Sequence, residues 1–217
     1  PLFRNEGGGL FRDATYSSRM AAISNPRSGW GNGFFDFNND GWKDLFTANS
    51  HVNDRIEHFE ATQYRQSNSI FANLGNGRFE DVSKQQGGDF QVARAHRGSG
   101  YADFNNDGKI DVVVTALGEP PELWENVSPA PGNGIVLKLI GTKSNRDGIG
   151  AGVRLGNQHN LMTTAVGYAS SSYNGVHFGV GKKERIDSIE IRWPSGVLQV
   201  VKDFEVNQVL RVREPER

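Results

Sequence analysis

Cysteine is absent from the 217 residues. Disulfides, thiolate-ligated metals and a cysteine nucleophile are thereby excluded, although the compartment is not fixed. No apolar run approaches the ~20 residues needed for a membrane-spanning helix. No signal-peptide pattern is visible. Pro1 falls inside what reads as a structured repeat, which leaves room for a removed leader upstream. Charge of neither sign is in excess: 24 Lys and Arg stand against 25 Asp and Glu, for a net charge of −1. No basic field exists to hold a phosphate backbone, so nucleic acid is not expected as a partner. What the chain has in quantity is glycine, 27 residues, with recurring Asn-Gly and Asp-Gly pairs between short apolar runs. That pattern predicts strands joined by tight loops, in a chain long enough for one large domain or two small ones.

Internal repetition organises the first half. Gly33-Phe-Phe-Asp-Phe-Asn-Asn-Asp-Gly-Trp-Lys-Asp-Leu-Phe aligns with Gly100-Tyr-Ala-Asp-Phe-Asn-Asn-Asp-Gly-Lys-Ile-Asp-Val-Val, 67 residues further on. A second element, Leu2-Phe-Arg-Asn-Glu-Gly-Gly-Gly-Leu-Phe-Arg-Asp, aligns with Ile70-Phe-Ala-Asn-Leu-Gly-Asn-Gly-Arg-Phe-Glu-Asp at an offset of 68, and Leu123-Trp-Glu-Asn126 echoes it. Asn76-Gly77 is a strong hairpin-turn signal. Units of this size, each built from four short strands, predict propeller blades. The end of one blade (1–16), a whole unit (about 29–83) and a last unit (about 95–127) are expected. These are too few to close a ring, so either the chain is part of a longer one or its open edges are covered. Residues 53–67 read as a polar insertion with one helical turn around Ile56 and Phe59.

Ser128-Pro-Ala-Pro-Gly-Asn-Gly134 reads as a linker. Beyond it, short apolar runs at 135–140, 151–155, 161–166, 176–180, 186–193, 197–201 and 209–212 predict a second all-β module, a small sandwich or barrel. Period-2 alternation puts Ile189, Ile191 and Trp193 on one face. The expected architecture is all-β: partial propeller blades over 1–128 and a small β domain over 135–214.

The repeated loops, residues 36–44 and 103–111, share the pattern Asp-x-Asn-x-Asp-Gly-x-x-Asp. Oxygen-bearing side chains fall at positions 1, 3, 5 and 9, glycine at 6 permits a sharp turn, and position 7 offers a carbonyl. Calcium takes six to eight such hard oxygens in flexible geometry, whereas magnesium demands a stricter octahedron. Three carboxylates within nine residues repel one another without a cation. The expected ligands are Asp36, Asn38, Asp40, Trp42 and Asp44 in one site, and Asp103, Asn105, Asp107, Lys109 and Asp111 in the other, for two Ca2+ ions. These are not EF-hands, which need Glu at position 12; Thr47 and Val114 stand there. The plainer alternative is that Asp, Asn and Gly merely form turns.

The two Asp-Phe-Asn-Asn-Asp-Gly loops resemble FG-GAP/VCBS repeats, the calcium-bearing blades of integrin-like propellers. Asn145-Arg-Asp-Gly-Ile-Gly-Ala-Gly-Val-Arg154, Gly167-Tyr-Ala-Ser-Ser171, His177-Phe-Gly-Val-Gly181 and Ile186-Asp-Ser-Ile-Glu-Ile-Arg-Trp-Pro-Ser-Gly196 resemble the ASPIC/UnbV domain. The combination is similar to the cartilage acidic protein family and its bacterial relatives. This resemblance implies a secreted or cell-surface, calcium-stabilised protein used in adhesion or matrix contact, with a protein or glycan partner. It also implies a propeller with more blades than this sequence contains.

Other chemistry-bearing residues favour bland readings. His51, Asp54 and His58 lack metal-ligand spacing and read as a polar rim. Arg94, His96 and Arg97 could grip an anionic ligand, but read rather as a solvated turn or as partners of the loop carboxylates. Arg146, Asp147 and Arg154 flank a glycine-rich turn that lacks the phosphate-cradle form, with Gly148 and Gly150 expected at special dihedrals. Ser170–Ser172, His177 and Asp187 supply triad residue types without a nucleophile elbow. Trp30, Trp124 and Trp193 read as packing residues, and Trp42 as facing solvent or a neighbouring blade. Asn126-Val-Ser128 is a glycosylation sequon. An enzyme or enzyme accessory acting on polysaccharides or natural products stays open as the second reading, since fold does not dictate function; the balance leans against it.

Overall fold

A computed structural model describes residues 1–129, 132–172 and 175–216. The chain is all-β. β1 (Phe3–Gly7) and β2 (Leu10–Asp13) form a hairpin, followed by the short helix α1 (Met20–Ser24). β3 (Gly29–Phe35), β4 (Asp44–Asn49), β5 (Ser69–Asn73) and β6 (Phe79–Asp81) make a four-stranded antiparallel sheet in sequential order. β7 (His96–Ala102), β8 (Asp111–Ala116) and β9 (Glu119–Trp124) make a three-stranded one. The tail holds two further sheets. One runs β13 (Val176–Gly181), β10 (Asn133–Ile140), β16 (Val209–Arg213); the other runs β12 (Gln158–Leu161), β11 (Gly152–Leu155), β14 (Arg185–Arg192), β15 (Leu198–Glu205).

The two blade sheets share one core. Phe35, Phe46, Ile70, Phe90, Tyr101, Val112 and Val114 bury against one another, with Tyr101 stacked obliquely on Phe35 at 5.2 Å between ring centres. β3 alternates strictly, and two of its inward positions are glycines, Gly31 and Gly33. The reason is proximity: a Cβ on Gly33 would lie 2.3 Å from the Tyr101 ring, and one on Gly31 2.5 Å from Ser99 Oγ. The opposite face of the first sheet buries Leu45, Phe71 and Phe79 with Met20 of α1.

The tail is a sandwich. Ile135, Leu137 and Leu139 of β10 and Phe178 of β13 meet Val153, Ile186 and Phe204 from the other sheet. Ile189, Ile191 and Trp193, assigned to one face by period, are all buried. β10 and β16 pair in parallel, so the chain's last strand closes beside the tail's first.

Four sequence expectations differ in detail. The apolar run at 161–166 is not a strand. The strand β12 precedes it over Gln158–Leu161, because a tight turn at Gly156 (φ 56°) folds these polar residues back against β11. The linker expected over 128–134 gives way at Asn133, where β10 already begins; its residues 130 and 131 lie outside the described residues. Between β5 and β6 the loop is longer than a two-residue hairpin: Leu74 N donates to Arg78 O across Gly75-Asn76-Gly77. In the insertion, one 3-10 turn forms at Ile56–His58 and buries Ile56, but leaves Phe59 exposed.

Candidate metal centre

Each acidic loop connects two antiparallel strands, β3 to β4 and β7 to β8, in the same register: Phe35 faces Asp44 and Ala102 faces Asp111. The sequence shapes them identically. Asn39 (φ 57°) and Asn106 (φ 60°) occupy the left-handed region at position 4, and Gly41 (φ 96°) and Gly108 (φ 83°) at position 6. Asparagine and glycine are the residues that tolerate this conformation.

The hydrogen bonds donated by backbone N–H groups repeat one for one. Asp36 accepts from Asp40 N (3.0 Å) and Gly41 N (2.7 Å), and Asp103 accepts from Asp107 N (3.1 Å) and Gly108 N (2.9 Å). Asn38 and Asn105 each accept from the position 5 N–H, and Asp40 and Asp107 from the position 7 N–H. Asp44 accepts from Phe37 N and Asn73 N, and Asp111 from Phe104 N and Asn126 N. The ninth-position aspartate thus ties each loop to the end of the third strand. There Asn73 and Asn126 complete the parallel by donating to Lys43 O and Ile110 O. The Asn126 amide of the sequon also donates to Phe37 O at 2.7 Å, so its nitrogen is engaged inside the fold.

Electrostatics separate the two copies. In the first loop Asp36 and Asp44 are 4% and 0% exposed. Burial pushes Asp36 up to about 6, with the Asp40 charge adding to it. Burial likewise pushes Asp44 up to about 7, assisted by Asp36 and Asp40. None of these three carboxylates is paired with a cationic side chain among the described residues. Lys43, within the loop, turns away to the His159 carbonyl at 3.3 Å. In the second loop Asp107 is exposed, and Lys109 Nζ lies 2.9 Å from its carboxylate. Slight burial opposes ionisation of Asp107, but the Lys109 contact outweighs it and holds the carboxyl below its usual value.

The position 7 residues differ too. Trp42 is half exposed and leans over the β5–β6 turn, 2.9 Å from where Gly75 would carry a Cβ. Lys109 is partly covered. As donors, the loops offer carboxylate, amide and backbone oxygens, the set a hard cation takes. Among the described residues no three His, Cys, Asp or Glu side chains converge into a finished coordination group. The oxygens are gathered in the loops, each side chain accepting from at least one backbone N–H with further lone pairs to spare.

The first loop is also a joint. Gly132 N donates to Asn38 O and Gly181 N to Asn39 O, both at 2.8 Å. The Asn39 amide donates to Gly108 O in the second loop at 3.1 Å. Tail glycines permit this approach: a Cβ on Gly179 would lie 2.0 Å from Asp36 Oδ2, and one on Gly132 2.2 Å from Asn39 O. No sequence signal marked this junction, because its tail partners are backbone groups far away along the chain (38 against 132, 39 against 181).

The other candidates are dispersed. The His51 ring meets the backbone of Asn53. Arg94 and His96 do not serve the loop carboxylates, which corrects that expectation. They meet Glu122, with Arg94 Nε at 2.8 Å and His96 Nε2 at 3.0 Å, while Arg97 lies 4.4 Å over the Trp30 ring. Arg146 pairs with Asp147 and Arg154 with Glu190 on the surface, and Gly148 and Gly150 have the expected positive φ. Ser170 and Ser172 hydroxyls accept from Ser99 N and Tyr101 N, and the buried His177 Nε2 has no partner among the described residues, so no triad forms among them. Burial lowers His177 to about 4, with the nearby Lys43 charge pushing the same way.

Reading the sequence missed one carboxylate. Glu214 is 1% exposed and accepts from the backbone N–H of Thr142, Lys143 and Ser144, at 2.8, 2.9 and 2.8 Å, and from the Ser144 and Ser195 hydroxyls. Its burial opposes charge, but these donors hold it down at about 2.

Comparison with known proteins matches residues 53–114 to an FG-GAP-like repeat and residues 141–217 to the ASPIC and UnbV family. The second acidic loop lies within the first match and the first loop outside it. The chain is also similar to cartilage acidic protein 1 of Xenopus tropicalis, at 40% identity over 57 residues. That segment is 26% of this chain and 9% of the relative's length.

Proposed function

This chain carries an FG-GAP-like repeat and an ASPIC/UnbV domain, and from that premise we propose that it is a calcium-stabilised extracellular interaction module. The observation that carries the reading is the first loop. It holds three mutually repelling carboxylates, two of them buried, with no cationic side chain paired to any among the described residues. A calcium ion would supply the missing positive charge and cross-link the turn. Asp36, Asn38, Asp40, Asp44 and the Trp42 carbonyl would hold it, and Asp103, Asn105, Asp107, Asp111 and the Lys109 carbonyl a second. Because Asn38 and Asn39 carry the contacts to the tail, a stiffened first loop also stiffens the junction. The exposed loops between strands are the surface offered to a protein or glycan partner, and adhesion is the role this fits. No helix among the described residues is long and apolar enough to cross a membrane.

Calorimetric titration of chelator-stripped protein tests the cation sites. The expected result is calcium binding in the range of about 10⁻⁴–10⁻³ M typical of extracellular modules, halved in stoichiometry by Asp40→Ala, with magnesium a poor competitor. Absence of calcium binding in that range would leave the loops as acidic turns only.

A further inference from the structure

A cavity of about 300 Å³ opens where the blades meet the tail, between the ends of β3 and β7 on one side and β12 and β13 on the other. This is the small end of the range for ligand pockets. Most of its wall is apolar, with Phe34, Leu161 and Val166 among the lining residues. Phe34 and Leu161 are 50% and 60% exposed, apolar surface the fold itself leaves uncovered.

Two polar groups at this cavity are unfulfilled. Lys43 offers three ammonium donors, yet makes one 3.3 Å bond to a backbone carbonyl and has no carboxylate partner among the described residues. His177 Nε2 is buried and bonded to nothing among the described residues, while the ring donates to the Gly108 backbone, which leaves Nε2 as the acceptor nitrogen. Lys43 lies close enough for its charge to act on the His177 ring. Around them the wall is set: the Asn160 amide donates to His177 O at 2.6 Å and the Gln158 amide to Gly179 O at 2.8 Å. Two aspartates also face the cavity, Asp36 and Asp103. Both have their oxygens turned onto backbone N–H groups of their own loops. Lys43 is the ammonium that lines this cavity, and no carboxylate is paired with it among the described residues.

An unpaired, partly buried ammonium calls for an anion, a buried ring nitrogen without a partner calls for an N–H or O–H donor, and the apolar wall calls for a hydrocarbon body. We propose that the cavity binds a small apolar carboxylate that also carries a hydrogen-bond donor, the chemistry of an apolar residue with a free α-carboxylate and an acylated amine. Its carboxylate pairs with Lys43, its N–H donates to His177 Nε2, and its side chain lies against Phe34, Leu161 and Val166. A peptide C-terminus and a free N-acyl amino acid share this chemistry.

The test is a titration of the calcium-loaded chain with N-acetyl-L-leucine, N-acetyl-L-leucinamide, N-acetylglycine and the tripeptide Gly-Gly-Leu, followed by calorimetry. The expected result is N-acetyl-L-leucine binding with a Kd of about 1 mM or tighter. Removing the charge (the amide) or the side chain (the glycine derivative) should weaken it by about 10-fold or more. Lys43→Met should do the same with its unfolding transition intact. Equal binding of the tripeptide identifies a peptide C-terminus as an admissible source, and its failure beside a binding N-acetyl-L-leucine confines the site to free acids; either supports the assignment. Equal binding of acid and amide, or no binding of the acid at about 20 mM, overturns it on the unmodified protein without recourse to any variant.

Discussion

At the residue scale, Lys109 makes the two loops unequal. Its ammonium occupies the Asp107 carboxylate at 2.9 Å, where a cation would have to compete, and no cationic side chain among the described residues plays that part beside Asp40. Lys109→Met in an Asp40→Ala background is expected to tighten calcium binding at the second loop several-fold, by about 10-fold at most for a partly solvated pair; unchanged or weaker affinity in a calcium titration would contradict this. Glu214 supplies a pH dependence of known sign. Its folded value of about 2 lies below the ordinary 4.5, so its stabilisation is complete above about pH 4.5 and lost as pH falls toward 2. Glu214→Gln should lower the unfolding midpoint at neutral pH, with the gap to the parent narrowing across that acid range; a gap that stays constant would contradict the assignment. The loop residues were readable because position, residue type and glycine spacing coincide in one stretch. Glu214 was not, since its donors sit at 142–144 and 195, and no local pattern announces three N–H groups aimed at one oxygen.

At the element scale, glycines decide how closely strands and loops approach. Gly179 on β13 meets Asp36 and Asn39 across the blade–tail junction. Gly179→Ala must push that loop aside, and a loss of about 1–3 kcal/mol is expected from such overpacking. Denaturant unfolding measures it; a neutral result would mean the junction yields freely. Strand positions followed from apolar alternation wherever one face is buried, as in β14. β12 escaped that reading because Gln158, His159 and Asn160 are polar, and it is pairing with β11 that makes them a strand. The Arg94–His96 segment was misassigned for a related reason. Its carboxylate partner, Glu122, comes from the neighbouring strand β9, and sequence adjacency to the second loop pointed the wrong way.

At the scale of the whole molecule, the repeat period announced two blade-like sheets, and the apolar runs after the linker announced further β-structure. How the two halves meet was hidden, since the contact runs through backbone atoms of the first acidic loop and glycines of the tail. That contact puts the candidate calcium site at the joint of the molecule instead of at its rim, so cation binding should register as global stability. Thermal unfolding in calcium, in magnesium and in chelator, on the parent and on Asp40→Ala, reads this most directly. At a hundredfold excess over Kd, calcium should contribute about 2.7 kcal/mol per site, or roughly 5–10 °C in a domain of this size. The account predicts a calcium-specific rise of that order, cut sharply by Asp40→Ala. A melting temperature indifferent to calcium, or a rise that Asp40→Ala leaves whole, would contradict it.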